Sequence, residues 1–289
     1  MRYQAAVAYL ESIGVFGSQL GLVRIQALLA ALDHPEEKFR SVHVTGTNGK
    51  GSTSAMLASI SRAAGLKTGL YTSPHLESYN ERIQVNGEAI SKEAFGEAVE
   101  ETHAAADKLV AAGQEQPTQF EVLTAAAFLH FARIQVDLAI VEVGLGGLLD
   151  STNVITPLCS VITNVAFEHA DRCGGTLAGV IEHKGGIIKH GVPIVTAAEG
   201  AARDRLRAIA QEKQAPFYCE EESWQVDKIS VSKQGTQFEY SGFDKNVDYL
   251  LSLVGWHQAH NAGIALTVMH LLLPQLLRRV DLMEAALYK

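Results

Sequence analysis

The residues with the clearest chemistry are Val44-Thr45-Gly46-Thr47-Asn48-Gly49-Lys50-Gly51-Ser52-Thr53. Glycine lets a backbone turn tightly and bring its N–H groups against phosphate oxygens, and a helix that begins there adds its partial positive charge. Lys50 would reach the β- and γ-phosphates of a nucleoside triphosphate, and Ser52 or Thr53 could approach its magnesium ion. Gly51 separates the lysine from the hydroxyl, which departs from the usual G-x-x-x-x-G-K-[ST] spacing. The alternative is a glycine-rich turn beside an exposed lysine. A second candidate is Glu142, at the end of the apolar run Leu138 to Val143. A carboxylate there is expensive to bury unless it meets a cation, which could equally be a structural ion pair.

These groups need a scaffold, and the apolar pattern supplies one. Helices are predicted over Tyr3 to Ile13 and Gly21 to Leu32, a helical lead-in over 1–40. The strand Ser41 to Thr45 runs into the glycine loop, and a helix follows from Lys50 to about Ala64. Strand, loop and helix in that order open a nucleotide-binding α/β unit. A strand from Lys67 to Tyr71 leads to the polar loop at Ser73-Pro74-His75. Helices are predicted over Ser91 to Ala112 and Gln119 to Ile134, the latter capped by Thr118. The β-branched runs Asp137 to Val143, Cys159 to Val165 and Val192 to Thr196 read as buried parallel strands. A mixed helical stretch covers Thr176 to Lys189, and an amphipathic helix Ala201 to Gln214. Residues Trp224 to Tyr240 alternate apolar and polar around Gly235-Thr236, predicting a hairpin of exposed antiparallel strands. A long helix starts near His257. The expected fold is α/β: a mostly parallel phosphate-loop sheet flanked by helices, with a small antiparallel β appendage. One domain spans 1–289, with its α/β core at 41–215, the appendage at 216–256 and the closing helix at 257–289.

Composition narrows the function classes. The chain has 289 residues, a formal net charge of -8, 47% hydrophobic and 19% charged residues. It is too apolar for a disordered chain, and too acidic for general nucleic-acid binding, which needs a basic surface. Cys159, Cys173 and Cys219 form no C-x-x-C pair, so neither a disulfide framework nor a thiolate zinc site is expected. The apolar stretch Ala5 to Leu10 ends at Glu11 without a cleavage signal, and Ala262 to Leu273 is too short to span a bilayer. A cytoplasmic chain without membrane or nucleic-acid partners is expected, and as a monomer.

The run Thr45 to Ser52 resembles the phosphate loop of the Mur ligase superfamily. Further motifs look like its folylpolyglutamate synthase and dihydrofolate synthase branch: Gly21-Leu22-Val23-Arg24-Ile25, Tyr71-Thr72-Ser73-Pro74-His75-Leu76, Asn80-Glu81-Arg82-Ile83 and Phe120-Glu121. Glu142-Val143-Gly144-Leu145-Gly146-Gly147, Leu149-Asp150-Ser151-Thr152-Asn153, Thr163-Asn164, His169, Gly185 to Lys189 and His257-Gln258 with Asn261 continue the match across nearly the whole chain. The resemblance implies a domain of the Mur ligase central type and an ATP-dependent ligase. Such an enzyme converts a carboxylate of folate or dihydropteroate to an acyl phosphate, which the amine of L-glutamate then attacks. It implies Mg²⁺ ligands at Ser73 and Glu142, a nitrogen ligand at His169 and a carbamylated lysine at Lys184, which an ordinary solvated lysine would equally explain. Lys50, Glu142, His169 and Lys184 become the catalytic set. Gly46 to Thr53 with Gln258 and Asn261 become nucleotide contacts, and Tyr79, Arg82 and Phe120 border the pterin and benzoyl groups.

Three departures stand out. Leu148 replaces an arginine in the usual G-G-R-L-D, removing a bidentate charge donor. Phe167-Glu168-His169 replaces L-D-H, and His183-Lys184-Gly185-Gly186-Ile187 replaces E-K-A-G-I, adding a helix-weakening glycine. Family members generally carry a second, C-terminal domain that helps bind glutamate and closes over ATP, and the resemblance stops before it. The chain is therefore expected to bind nucleotide better than it turns over. A non-catalytic nucleotide-binding homologue, a fragment, or a Mur-type ligase for another carboxylate remain the alternatives.

Overall fold

A computed structural model describes residues 1–14, 21–167, 175–275 and 279–288. Two short helices lead in, α1 (Tyr3–Ser12) and α2 (Val23–Ala31). Strand β1 (Ser41–Thr45) is buried along its whole length and delivers the chain to α3 (Lys50–Ala63) through the glycine loop. Strand β2 (Thr68–Tyr71) follows, then β3 (Ile83–Val85), β4 (Glu88–Ala89), and the helices α4 (Lys92–Ala111) and α5 (Gln119–Ile134). Thr118 caps α5 as expected, in a reciprocal capping box with Glu121. Next come β5 (Leu138–Glu142), β6 (Cys159–Ile162), α6 (Leu177–Gly185), β7 (Ile194–Thr196), α7 (Gly200–Glu212) and β8 (Phe217–Cys219).

Among the described residues these strands form an eight-stranded sheet of order β4-β3-β2-β5-β1-β6-β7-β8. Pairings from β2 to β8 are parallel, and only β3 and β4 run antiparallel at one edge. From β1 the chain passes outward to β2, whereas from β5 it crosses to β6 on the other side of β1. The order thus reverses around β1, and the carboxyl ends of β5, β1 and β6 flank the crevice where open α/β sheets bind ligands.

Alternation along the strands divides the core. Val42 and Val44, Ile140 and Val161 face α3 and the long helix α8 (Trp256–Leu272), while Ala139, Val141, Ile162 and Ile194 face the opposite layer. That layer holds α1, α2, α4 and α5 over one half of the sheet and α6 and α7 over the other.

The antiparallel portion differs from the expected exposed hairpin. It has three strands, β9 (Trp224–Ser232), β10 (Gly235–Gly242) and β11 (Lys245–Leu251), in the order β11-β10-β9. Their inner face, Trp224, Val226, Phe238, Tyr240, Tyr249 and Leu251, is buried in the same core as α3 and α8. This small sheet therefore seats α8 rather than hanging from the domain. The helix expected from His257 starts at Trp256 and stops at Leu272, and α9 (Val280–Tyr288) forms separately. No described helix is long and apolar enough to cross a membrane.

Candidate active site

The loop between β1 and α3 is held from below by residues that follow β6. The Thr163 hydroxyl donates to the Asn48 carbonyl at 2.6 Å. The Asn164 amide group accepts from the Asn48 N–H at 2.9 Å and donates to its carbonyl at 3.2 Å. The Thr47 N–H donates to the Asn164 carbonyl. A methyl on Gly46 would lie 1.8 Å from Thr163 Oγ1, so only glycine passes there. Gly49 has φ 82°, and a methyl on it would lie 2.4 Å from Asn261 Oδ1. Asn261, buried near the start of α8, donates from Nδ2 to the Gln258 side-chain oxygen Oε1 at 3.0 Å. The structure thus brings Gly46 to Lys50, Asn261 and Gln258 together. His257 packs instead on Gly255.

The first turn of α3 contains no acidic side chain, and no side chain caps it. An α-helix leaves its first N–H groups without an intrahelical partner, and those of α3 begin beyond the carboxyl end of β1. Lys50 folds back, donating to the carbonyls of Gly46 (3.0 Å) and Thr47 (3.1 Å). Ser52 is half-buried and Thr53 fully buried, its hydroxyl unpartnered. Ser52, not Thr53, is thus the loop hydroxyl near the open face, since successive helical residues point about 100° apart.

Glu142 ends β5 on the α3 side, paired in register with Val44. Its carboxylate oxygens lie 3.9 Å from where a methyl on Gly51 would sit. Burial pushes its pKa up to about 7, opposed by the charge of Lys50 and by a hydrogen bond from the Ser73 backbone N–H. Ser73 and Glu142 are therefore neighbours, as expected. His169 lies outside the described residues. Lys184 is buried near the end of α6, and its Cα would lie 3.3 Å from a methyl on Gly147, in the loop that follows Glu142.

Beside this centre lies an aromatic wall. The Phe120 ring reaches Gly144, 2.5 Å from a methyl there, and stacks toward Tyr71 with centroids 6.1 Å apart. Tyr79 packs on His75 with centroids 4.4 Å apart, accepts from Gln119 at its hydroxyl, and carries the Arg82 guanidinium over its ring. Arg82 also donates from Nε to His75 Nδ1 at 2.9 Å, and burial with that cation holds the His75 pKa below the usual range. Glu81 fixes the loop, accepting from the backbone N–H groups of Leu76, Glu77 and Ser78 and from the Ser78 hydroxyl, which draws its pKa down to about 2. Arg24, on α2, donates to Glu121 and Glu115 and so ties the lead-in to the start of α5.

The departures have local accommodations. Leu148 lies against Gly186, and its exposed side chain presents no charge. At Gly185 a methyl would meet Ile209 Cδ1 at 2.6 Å, so an α7 side chain fills the volume that the alanine would take. Thr163 and Asn164 belong to the site as clamps of the loop. The sequence signal was a Thr-Asn pair directly after an apolar strand.

Comparison with known proteins agrees with this geometry. The model of the Mur ligase middle domain matches residues 44–269. The chain is 40% identical over 267 residues to a dihydrofolate synthase/folylpolyglutamate synthase of Bacillus subtilis, covering 91% of this chain and 62% of that protein. It is 39% identical over 275 residues to a folylpolyglutamate synthase of Lacticaseibacillus casei, covering 92% and 63%. An FPGS–AMPPCP–folate complex superposes with a TM-score of 0.94 at 36% identity, covering 99% of this chain and 71% of that one. The chain thus spans a little under two thirds of the length of these two curated relatives.

Proposed function

The chain belongs to the Mur ligase family through its middle domain, and from that premise we propose that it forms the nucleotide-binding part of an ATP-dependent amide ligase. The acceptor carboxylate is that of folate or dihydropteroate, and the incoming amine is that of L-glutamate. The observation that carries this reading is the pairing of a helix start that no side chain caps, and a lysine folded onto the loop carbonyls, with a buried carboxylate. The names of the relatives and the nucleotide and folate of the superposed complex support the same direction.

A carboxylate is a poor acyl donor, so the reaction must first convert its oxygen into a leaving group. The carboxylate oxygen bonds to the γ-phosphorus as the bond to the β-phosphate oxygen breaks, giving an acyl phosphate and ADP. The glutamate nitrogen then attacks the carbonyl carbon and phosphate leaves with the bonding pair, while the amine loses a proton. Such a sequence needs positioning and charge neutralisation more than a covalent nucleophile. The N–H groups of Gly49 to Ser52 would hold the phosphates, and Lys50 would leave the loop carbonyls to meet them.

Glu142 fits a hard divalent cation. It is a buried carboxylate whose pKa burial raises and the charge of Lys50 lowers. Glu142 and Ser73 would hold Mg²⁺, with His169 and a carbamylated Lys184 as further members of the set, and the ion would neutralise charge on the phosphates. Phe120, Tyr79 and Arg82 would offer aromatic faces and one cation to the acceptor.

Folate titration at saturating Mg–AMPPCP, followed by calorimetry, tests the acceptor assignment. Saturable folate binding that strengthens with nucleotide is expected. Absence of folate binding at full nucleotide occupancy would turn the reading toward a ligase for another carboxylate or a nucleotide-binding homologue.

A further inference from the structure

Behind the nucleotide loop, on the other face of β1, lies a buried polar chain that the proposed chemistry does not use. His43 sits in the middle of β1, fully buried. Its Nε2 lies 2.8 Å from the Thr152 hydroxyl, and Thr152 in turn hydrogen-bonds to Asp150 Oδ1 through both its hydroxyl and its N–H. The other oxygen, Asp150 Oδ2, accepts the Leu145 N–H at 2.9 Å. Burial lowers the pKa of His43 to about 3, so the imidazole is neutral.

The directions of these bonds follow from the acceptor at the end. The Thr152 hydroxyl has one proton, and it is donated in the hydrogen bond to Asp150 Oδ1. Thr152 can then only accept from His43, which fixes the imidazole as the Nε2–H tautomer. His43 Nδ1 is left buried and unpartnered. An unsatisfied buried acceptor is unfavourable, so an apolar residue at position 43 would suit the strand better unless the donated hydrogen bond matters. Its far end is the segment Gly144 to Gly147. That segment continues from Glu142, receives the Phe120 ring at Gly144, and is tied to β1 by the Thr45 hydroxyl on the Gly146 carbonyl at 2.7 Å.

We propose that His43 is a positioning residue: through Thr152 and Asp150 it holds the Leu145 N–H, and with it the Gly144–Gly147 segment, in the form that sets the Phe120 wall beside Glu142. The link to acceptor binding rests on the folate reading above. The hold on the segment does not.

Two measurements on the 289-residue chain separate the two. Amide exchange at Leu145, followed by NMR, is expected to quicken about tenfold in His43→Leu and in Thr152→Val, the loss of roughly one hydrogen bond's worth of protection. His43→Gln, whose side-chain amide can still donate, restores it. Folate affinity should fall with the same pattern, while AMPPCP affinity stays within twofold of the unsubstituted chain. Exchange at Leu145 unchanged in His43→Leu, whatever Thr152→Val does, or equally fast in His43→Gln and His43→Leu, overturns the proposal. Should His43→Leu fail to fold, His43→Met, an unbranched side chain without a donor, takes its place against His43→Gln. If the unsubstituted chain binds no folate, the folate reading falls while Leu145 exchange still decides the role of His43.

Discussion

Replacing Glu142 by glutamine should stabilise the ligand-free chain at alkaline pH while abolishing the gain that Mg²⁺ brings to nucleotide binding. Burial raises the pKa of this group from 4.5 to about 7. The folded chain therefore holds more protons than the unfolded chain between those values, and stability falls as pH rises through that window. At 1.36 kcal/mol per pKa unit, the ionised side chain destabilises the fold by about 2–3 kcal/mol more at pH 8 than at pH 5. Glutamine is neutral throughout and keeps an oxygen for the Ser73 N–H. Urea unfolding in chelator should show the two proteins differing at pH 8 by about 2–3 kcal/mol beyond their difference at pH 5, equivalent to about 4 °C in Tm for a chain of this size. Mg–AMPPCP at a hundredfold over its Kd would add about 2.7 kcal/mol to the unsubstituted chain, and to Glu142→Gln no more than AMPPCP in chelator adds, narrowing or closing the gap. A difference between the two proteins that does not change with pH would refute the claim that Glu142 is held against its ionisation.

Other outcomes follow from single contacts. Gly49→Ala places a methyl 2.4 Å from Asn261 Oδ1 at φ 82°. The left-handed backbone alone disfavours it by about 1–2 kcal/mol, so AMPPCP affinity measured by calorimetry should drop at least about tenfold with the far-UV circular dichroism unchanged. Arg24→Met leaves Glu121, which is 2% exposed, without its cation, and urea unfolding should show a loss of about 3 kcal/mol that shrinks when Glu121→Gln is added. Gly185→Ala gains helix propensity but meets Ile209 Cδ1 at 2.6 Å. Adding it to Ile209→Val, which removes that atom, should raise stability by about 1 kcal/mol over Ile209→Val alone in the same assay.

What the sequence disclosed depended on how local the determinant was. Strand β1 and helix α3 follow from five buried residues, a glycine loop and an apolar stripe, all within about twenty positions. The start of α5 was readable because Thr118 and Glu121 form a cap among neighbours. Strands β3 and β4 were not predicted, although Asn86-Gly87, both at positive φ, is the strongest short hairpin signal in the chain. The turn before β11 gave no such signal, because Phe243 and Asp244 hold positive φ without asparagine or glycine. Strand β8 is three residues long and pairs only on one side, so periodicity had nothing to register. The motifs pointed to Lys50, Ser73, Glu142 and Asn261, which the fold brings to one crevice, whereas Thr53 turns inward because helical phase overrides its hydroxyl chemistry. The link from His43 to Thr152 spans 109 positions and depends on register in the folded sheet, which no local pattern encodes.

Isothermal titration of AMPPCP into the unsubstituted chain, Lys50→Met and Glu142→Gln, each with Mg²⁺ and with chelator, tests whether the segment from Gly46 to Ser52, with Glu142, is a Mg–nucleotide site. Saturable binding by the unsubstituted chain that depends on Mg²⁺ is expected, with a loss of at least about tenfold in affinity for Lys50→Met and no Mg²⁺ dependence for Glu142→Gln. Equal AMPPCP affinity in all three proteins, with and without Mg²⁺, would contradict it.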